Sequence, residues 1–147
     1  MYIAAYGWDH DGWSGAFYPD DLPPEWRLTY YGNEFRAVVV PATLWQQADA
    51  ATVAQWGADT AEGFCFLLEA ADTPPPAVLR EALGDRYGGV AGEGGLPVVR
   101  WEGGADAHAL RAAIETLPVH GVLLIAGAPP SLQALRMAQT ITQLLGR

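Results

Sequence analysis

Five apolar runs of five or six residues, at 2–6, 37–42, 64–68, 96–101 and 122–126, alternate with stretches whose apolar residues recur at helical spacing. Strand and helix signals in alternation predict an α/β fold around a mostly parallel sheet of five to six strands. The run Val38-Val39-Val40 is apolar on both faces, as a buried parallel strand requires. The helix signals are local. Pro23, Pro24 and Glu25 open a helix through Tyr31, with Gly32 placed to end it. Asp49 is placed to cap a helix that carries Val53 and Trp56 on one face. Thr73 stands as the cap of a helix that starts with three prolines, turns Val78, Leu79, Ala82 and Leu83 inward, and ends at Gly84. Asp106 caps a helix bearing Leu110, Ile114 and Leu117, and Ser131 opens a last helix that runs to Leu145.

Between the third and fourth runs, Gly84, Gly88, Gly89, Gly92, Gly94 and Gly95 fall within twelve residues. No Gly-Lys-Ser/Thr follows them, so the stretch reads as a flexible connection around a short edge strand near Val90 rather than a phosphate cradle. The 147 residues are the size of one domain, 1–147, and at 50% hydrophobic and 17% charged they can pack a core.

The net charge is −9, and all eight basic residues are arginine. Without lysine, neither a Schiff-base mechanism nor a P-loop is available. The arginines are scattered singly, which speaks against nucleic acid as a partner. No stretch approaches the ~18 apolar residues of a membrane span, and no basic-then-apolar leader opens the sequence. The one cysteine, Cys65, lies in an apolar run and reads as a small buried hydrophobe. These features fit a cytoplasmic protein.

The densest motif is Gly7-Trp-Asp-His-Asp-Gly-Trp-Ser-Gly-Ala-Phe-Tyr-Pro19, directly after the first apolar run. With Leu28-x-Tyr30-Tyr31 through Phe35, Thr43-Leu44-Trp45, Val53-x-x-Trp56 and Gly63-Phe64-x-Phe66, it resembles the YecE-like family. That is a domain family of unknown function with a TIM-barrel-type fold. A weaker second block resembles the end of the barrel: Val98-Val99-Arg100-Trp101-Glu102-Gly103, and residues 127–145 with Ala134, Ala138 and Leu145.

A full barrel of eight strands needs about 250 residues. The resemblance therefore implies a truncated TIM-barrel-like fold that keeps the first three strands and the last two. Numbered as they occur here, the five strands would lie in the order four, five, one, two, three, as an open sheet or a small distorted barrel. Right-handed crossovers would put the helices after strands one, two and four on one face. The return from strand three to strand four moves the other way, so its helix is expected on the opposite face. The result would be a three-layer sandwich, and its two open edges would invite a homodimer.

Sites in parallel α/β folds form at the carboxyl ends of strands. The resemblance implies polar residues there that this chain lacks. Val39 and Pro41 stand where the family has glutamate and asparagine, and Glu69 where it has lysine. Glu102 replaces a histidine, and Ala126-Gly127 an Asn-Asn pair. This implies a degenerate site with no assigned catalytic residue. The candidate pocket residues are Trp8, Asp9, His10, Asp11, Trp45, Glu69, Arg100, Trp101 and Glu102.

Asp9 and Asp11 read as loop-turn residues, and Arg100 as the partner of Glu69 or Glu102. Asp9 and Asp11 lack helical i, i+4 geometry and no second histidine is placed, so neither a metal nor another cofactor is expected. Pro129 and Pro130 remove two amide donors before the last helix, against an anion site there. His108 and His120 read as surface or capping residues. Two functional classes stay open. One is a non-catalytic barrel relative acting through self-association or a protein partner. The other is a small-molecule-binding protein or hydrolase-like enzyme with an aromatic cleft at the strand ends.

Overall fold

In a computed structural model that describes all residues, Met1–Arg147, six strands form one parallel sheet. They are β1 (Tyr2–Tyr6), β2 (Ala37–Val40), β3 (Cys65–Glu69), β4 (Tyr87–Ala91), β5 (Val98–Trp101) and β6 (Val122–Ile125). Their order is β4-β3-β2-β1-β6-β5. Every neighbouring pair is parallel. The five apolar runs thus lie in the expected order, and the short edge strand expected near Val90 is β4, beside β3. The helices are α1 (Arg27–Glu34), α2 (Ala42–Gln47), α3 (Ala50–Ala58), α4 (Ala77–Leu83), α5 (Ala107–Thr116) and α6 (Leu132–Leu144). None is long and apolar enough to cross a membrane.

Period-2 alternation divides the strand side chains between two faces. Ile3, Ala5, Val38, Val40, Phe66, Leu68, Leu123 and Ile125 pack outward in one core with Leu79, Leu110, Ile114 and Leu135 of the helices. Ala4, Ala37, Val39, Leu67, Ala91, Val122 and Leu124 form a second, smaller cluster made of strand residues alone. The sheet curls into a half-barrel with this smaller cluster on its inner side. Leu96 donates its amide to Val90 O at 2.7 Å and accepts from the Gly92 amide at 3.0 Å, a bridge that joins the end of β4 to the approach to β5.

The expectation of an α/β, mostly parallel, truncated-barrel fold holds, with every pair parallel, but the third layer is not formed. Leu79 and Leu83 of α4 belong to the same core as the other helices, and α4 packs on α3. Since β4 follows α4 and lies beside β3, β3–α4–β4 is an ordinary crossover unit and needs no change of face. The inner face holds only its own side chains.

Local signals were read correctly at three caps. The side chains of Asp49, Asp106 and Ser131 accept the amides of Thr52, Ala109 and Ala134. Gly84, at φ +58°, ends α4 as expected. Thr73 does not cap α4, because three prolines hold the chain extended up to Pro76 and the helix starts only at Ala77. Gly32 does not end α1. It lies inside the helix, where a Cβ would stand 3.5 Å from the Phe64 ring, and the helix continues to Glu34. Strand β2 stops at Val40, since Pro41 starts the unanticipated helix α2.

The glycine-rich stretch is explained by close approach. A Cβ on Gly95 would lie 2.1 Å from Val90 O, and one on Gly88 would lie 2.1 Å from Cys65 Sγ and 2.8 Å from Leu67 Cδ2. Replacing Gly88→Ala should cost about 1–3 kcal/mol by overpacking the inner face. Urea unfolding of Gly88→Ala, Cys65→Ala and the double variant checks this. Removing the thiol should recover part of the loss, whereas strictly additive losses would show that the two positions do not meet.

Candidate functional site

The carboxyl ends of β1, β3 and β5 deliver three polar side chains to the inner rim of the half-barrel. Tyr6 donates its hydroxyl to Glu69 Oε1 at 2.8 Å, and the same carboxylate oxygen accepts the Ala42 amide at 2.8 Å. Glu69 therefore ties the ends of β1 and β3 to the first turn of α2. The Arg100 guanidinium lies 5.6 Å from the centroid of the Tyr6 ring, and its Nε donates to Glu102 Oε1 at 3.0 Å. Burial, together with the hydrogen bond to Glu69, pushes the Tyr6 phenol from 10.0 up to about 12. Of the two partners expected for Arg100, the structure gives Glu102. That pair is exposed on both sides, so it contributes at most about 1 kcal/mol.

The first loop is organised differently. Arg27, at the start of α1, is 7% exposed and donates through Nη1 to Asp9 Oδ1 at 2.6 Å and Asp11 Oδ1 at 3.0 Å. Its Nη2 reaches Ser14 Oγ at 3.3 Å, and its guanidinium lies 5.5 Å from the Tyr18 ring centroid. Asp9 and Asp11 are thus the anions of a clamp on Arg27. His10 packs edge-on against Trp13 and points Nε2 at the carbonyls of Tyr6 (2.9 Å) and Gly7 (3.1 Å). Both partners are acceptors, so Nε2 carries the proton. Burial, the largest influence, moves the imidazole below its usual pKa. A neutral ring with its proton committed to the backbone is a brace and not a free base.

The aromatic residues do the same work. Trp13 Nε1 donates to Pro130 O at 2.9 Å, Tyr18 donates its hydroxyl to Trp8 O, and Trp45 Nε1 donates to Glu69 O at 3.1 Å. Trp8 packs on Trp56 and Phe66. Trp101 donates to Gly104 O at 3.1 Å within its own turn.

The nine candidate residues do not converge on one cleft. Glu69, Arg100 and Glu102 share the inner rim with Tyr6. Asp9 and Asp11 turn to Arg27 of α1, His10 turns to the end of β1, and Trp8 and Trp45 are buried in the outer core. None of the five principal surface cavities is lined by Tyr6, Glu69, Arg100 or Glu102. No three His, Cys, Asp or Glu side chains stand together in a metal-holding arrangement. Sequence reasoning missed Tyr6 and Arg27. Tyr6 could have been found as the last inward position of β1. Arg27 gave no signal beyond being the one arginine in the segment that follows the first loop.

Residues 2–73 match the family model described as "Protein of unknown function DUF72", the YecE-like family. Among solved structures, a crystal structure of a DUF72 family protein from Thermotoga maritima is similar at 17% identity and a TM-score of 0.47. The match covers 95% of this chain and 61% of that one. This chain therefore spans less than two thirds of that relative's length. No curated protein matches.

Two outcomes test the geometry. Arg27→Ala should cost about 1–3 kcal/mol, since it removes a buried, multiply bonded side chain. Asp11→Asn should cost less than about 1 kcal/mol, because Asp11 is solvated. Equal losses in chemical denaturation would refute the clamp as described. The raised Tyr6 pKa means that the fold prefers the protonated phenol. Its contribution is intact below pH 10 and is lost as pH rises toward 12. Tyr6→Phe should therefore show a shallower fall in stability over that window than the parent chain, measured by unfolding at stepped alkaline pH. Parallel curves would count against the bond to Glu69.

Proposed function

Taking as premise that residues 2–73 belong to the DUF72 family, we propose that this chain is a shortened, non-catalytic member that acts by association. The observation that carries this reading is the state of the inner rim. Glu69 Oε1 already holds the Tyr6 hydroxyl and the Ala42 amide, Arg100 is paired with Glu102, and the sheet interior below is filled. A catalytic carboxylate needs a proton or reacting atom within hydrogen-bond reach. Here one oxygen of the carboxylate is occupied by the chain's own donors, and none of the five principal cavities is lined by it.

The association we propose is a homodimer through the sheet edges. Apart from the bridge between Ala91 and Leu96, β4 and β5 have no strand on their outer sides. Unpaired strand edges are templates for pairing. A cytoplasmic location belongs to the same proposal, supported by the lone free thiol of Cys65.

Light scattering after size exclusion is the direct check. The parent chain should give a dimer mass at tens of micromolar, and Val90→Lys on β4 should shift it to the monomer mass with its melting temperature little changed. A monomer across the whole concentration range would sink the dimer. Separately, a saturable thermal shift from a small metabolite that disappears in a folded Arg100→Ala variant would overturn the non-catalytic reading of the rim.

A further inference from the structure

On the outer side of the molecule, away from the rim, a cavity of about 450 Å³ lies between the turn that precedes α1 and the face of α3. Its floor is aromatic: Trp8 and Trp56 meet edge-to-face with centroids 5.2 Å apart, and each is only 7% exposed. Its wall is anionic: Glu25, Asp49 and Asp59 all line it. None of the three forms an ion pair, since the arginine ion pairs go to Asp9, Asp11, Glu34, Glu102 and Glu115. A second hollow shares Glu25 and Asp59 and is lined by Trp26, which is 61% exposed.

The indole nitrogens supply an independent sign. Trp13, Trp45 and Trp101 each donate Nε1–H to a carbonyl. Trp8 and Trp56 donate to nothing in the chain, although more than nine-tenths of each is buried. Neither nitrogen is among the polar atoms sealed from solvent without a partner, so each keeps some exposure, and both residues line the cavity. A buried indole N–H ordinarily finds an acceptor.

We propose that this cavity is a binding site for an organic cation, a guanidinium or alkylammonium group carried next to a carbonyl. The cation would lie over the indole faces within reach of the Glu25 and Asp59 carboxylates, and the ligand's carbonyl would accept an indole N–H. Aromatic walls combined with unpaired carboxylates are the chemistry that selects such cations. The local charges favour it further. Asp49 stays ionised because the Thr52 amide and hydroxyl hold its carboxyl below the usual range. The site does not depend on whether the rim is catalytic.

The test is a fluorescence titration of the full chain with arginine amide and with citrulline amide, its neutral isostere. Arginine amide should give a saturable change in tryptophan emission, with citrulline amide at least about tenfold weaker. The double variant Glu25→Gln with Asp59→Asn should lose about tenfold in affinity at an unchanged melting temperature. Should the double variant fold poorly, Glu25→Gln alone, on an exposed turn, should still weaken binding severalfold. The proposal is overturned by equal responses to the two amides, by unchanged affinity in the carboxamide variants, or by no saturable response to arginine amide. A neutral sugar that binds as well as arginine amide would equally overturn it. Arg100→Ala should leave this titration unaltered, which separates its outcome from that of the rim.

Discussion

On the inner face of the sheet, Ala4, Ala37 and Ala91 sit among Val39, Leu67, Val122 and Leu124, all buried although no helix covers them. The curl of six parallel strands packs these side chains against one another, and Leu96, in the turn after β4, bonds back to Val90. A wider sheet would have left an apolar inner face that only another layer could bury. The tight curl removes that need and leaves the outside as the place for every helix. It also accounts for glycine along β4 and the turn after it. A Cβ on Gly88 would strike Cys65 of the neighbouring strand β3, and one on Gly95 would strike the backbone of Val90. At the carboxyl end the same curvature brings Tyr6, Glu69 and Arg100 close enough to bond or stack with one another.

Much of this was legible in the residues. Apolar runs marked five strands, and Asp49, Asp106 and Ser131 marked helix starts where their side chains do cap. The family pattern placed the last two strands beside the first, as β6 pairing with β1 shows. The side taken by α4 was not legible, because it depended on a strand with a weak signal. Tyr87-Gly-Gly-Val-Ala carries little β propensity, and its two glycines mark close approach rather than pairing. With β4 left out of the count, the chain had to cross the sheet backwards after β3, and handedness then put α4 inside. The rule held; the missing strand misdirected it. Gly32 was misread for a related reason, since its smallness serves contact with the Phe64 ring and not a left-handed turn.

The polar residues illustrate how sequence proximity can mislead about chemistry. Asp9, His10 and Asp11 form a compact ionisable cluster in the sequence, but their side chains part company. The two aspartates turn to Arg27, which lies 16 to 18 residues further on, and His10 turns back to the carbonyls of Tyr6 and Gly7. The energy of the clamp lies mainly on the arginine side. Arg27 is nearly buried, whereas the side chains of Asp9 and Asp11 are 63% and 99% exposed. Such exposed carboxylates exchange one hydrated state for another at little net gain. A buried guanidinium has no such alternative, and with its Nε already lacking an acceptor it depends on the bonds its terminal nitrogens make.

Structural roles account for part of the outer cavity and not for the rest. Asp49 is there as the cap of α3, and Asp59 accepts the amide of Gln55, so each has a reason to stand where it does. Glu25 has no bond within the chain that would hold it, and neither carboxylate role explains two indole N–H groups without acceptors. Water can solvate those groups in the same hollow, beside apolar ring faces that offer it no bond. A chain of net charge −9 also keeps three carboxylates here with no arginine among them, while four arginines elsewhere are paired. A packing optimum would have spent an apolar residue or an arginine at this place. The donors and acceptors left over are those that a flat cation with an adjoining carbonyl would satisfy together.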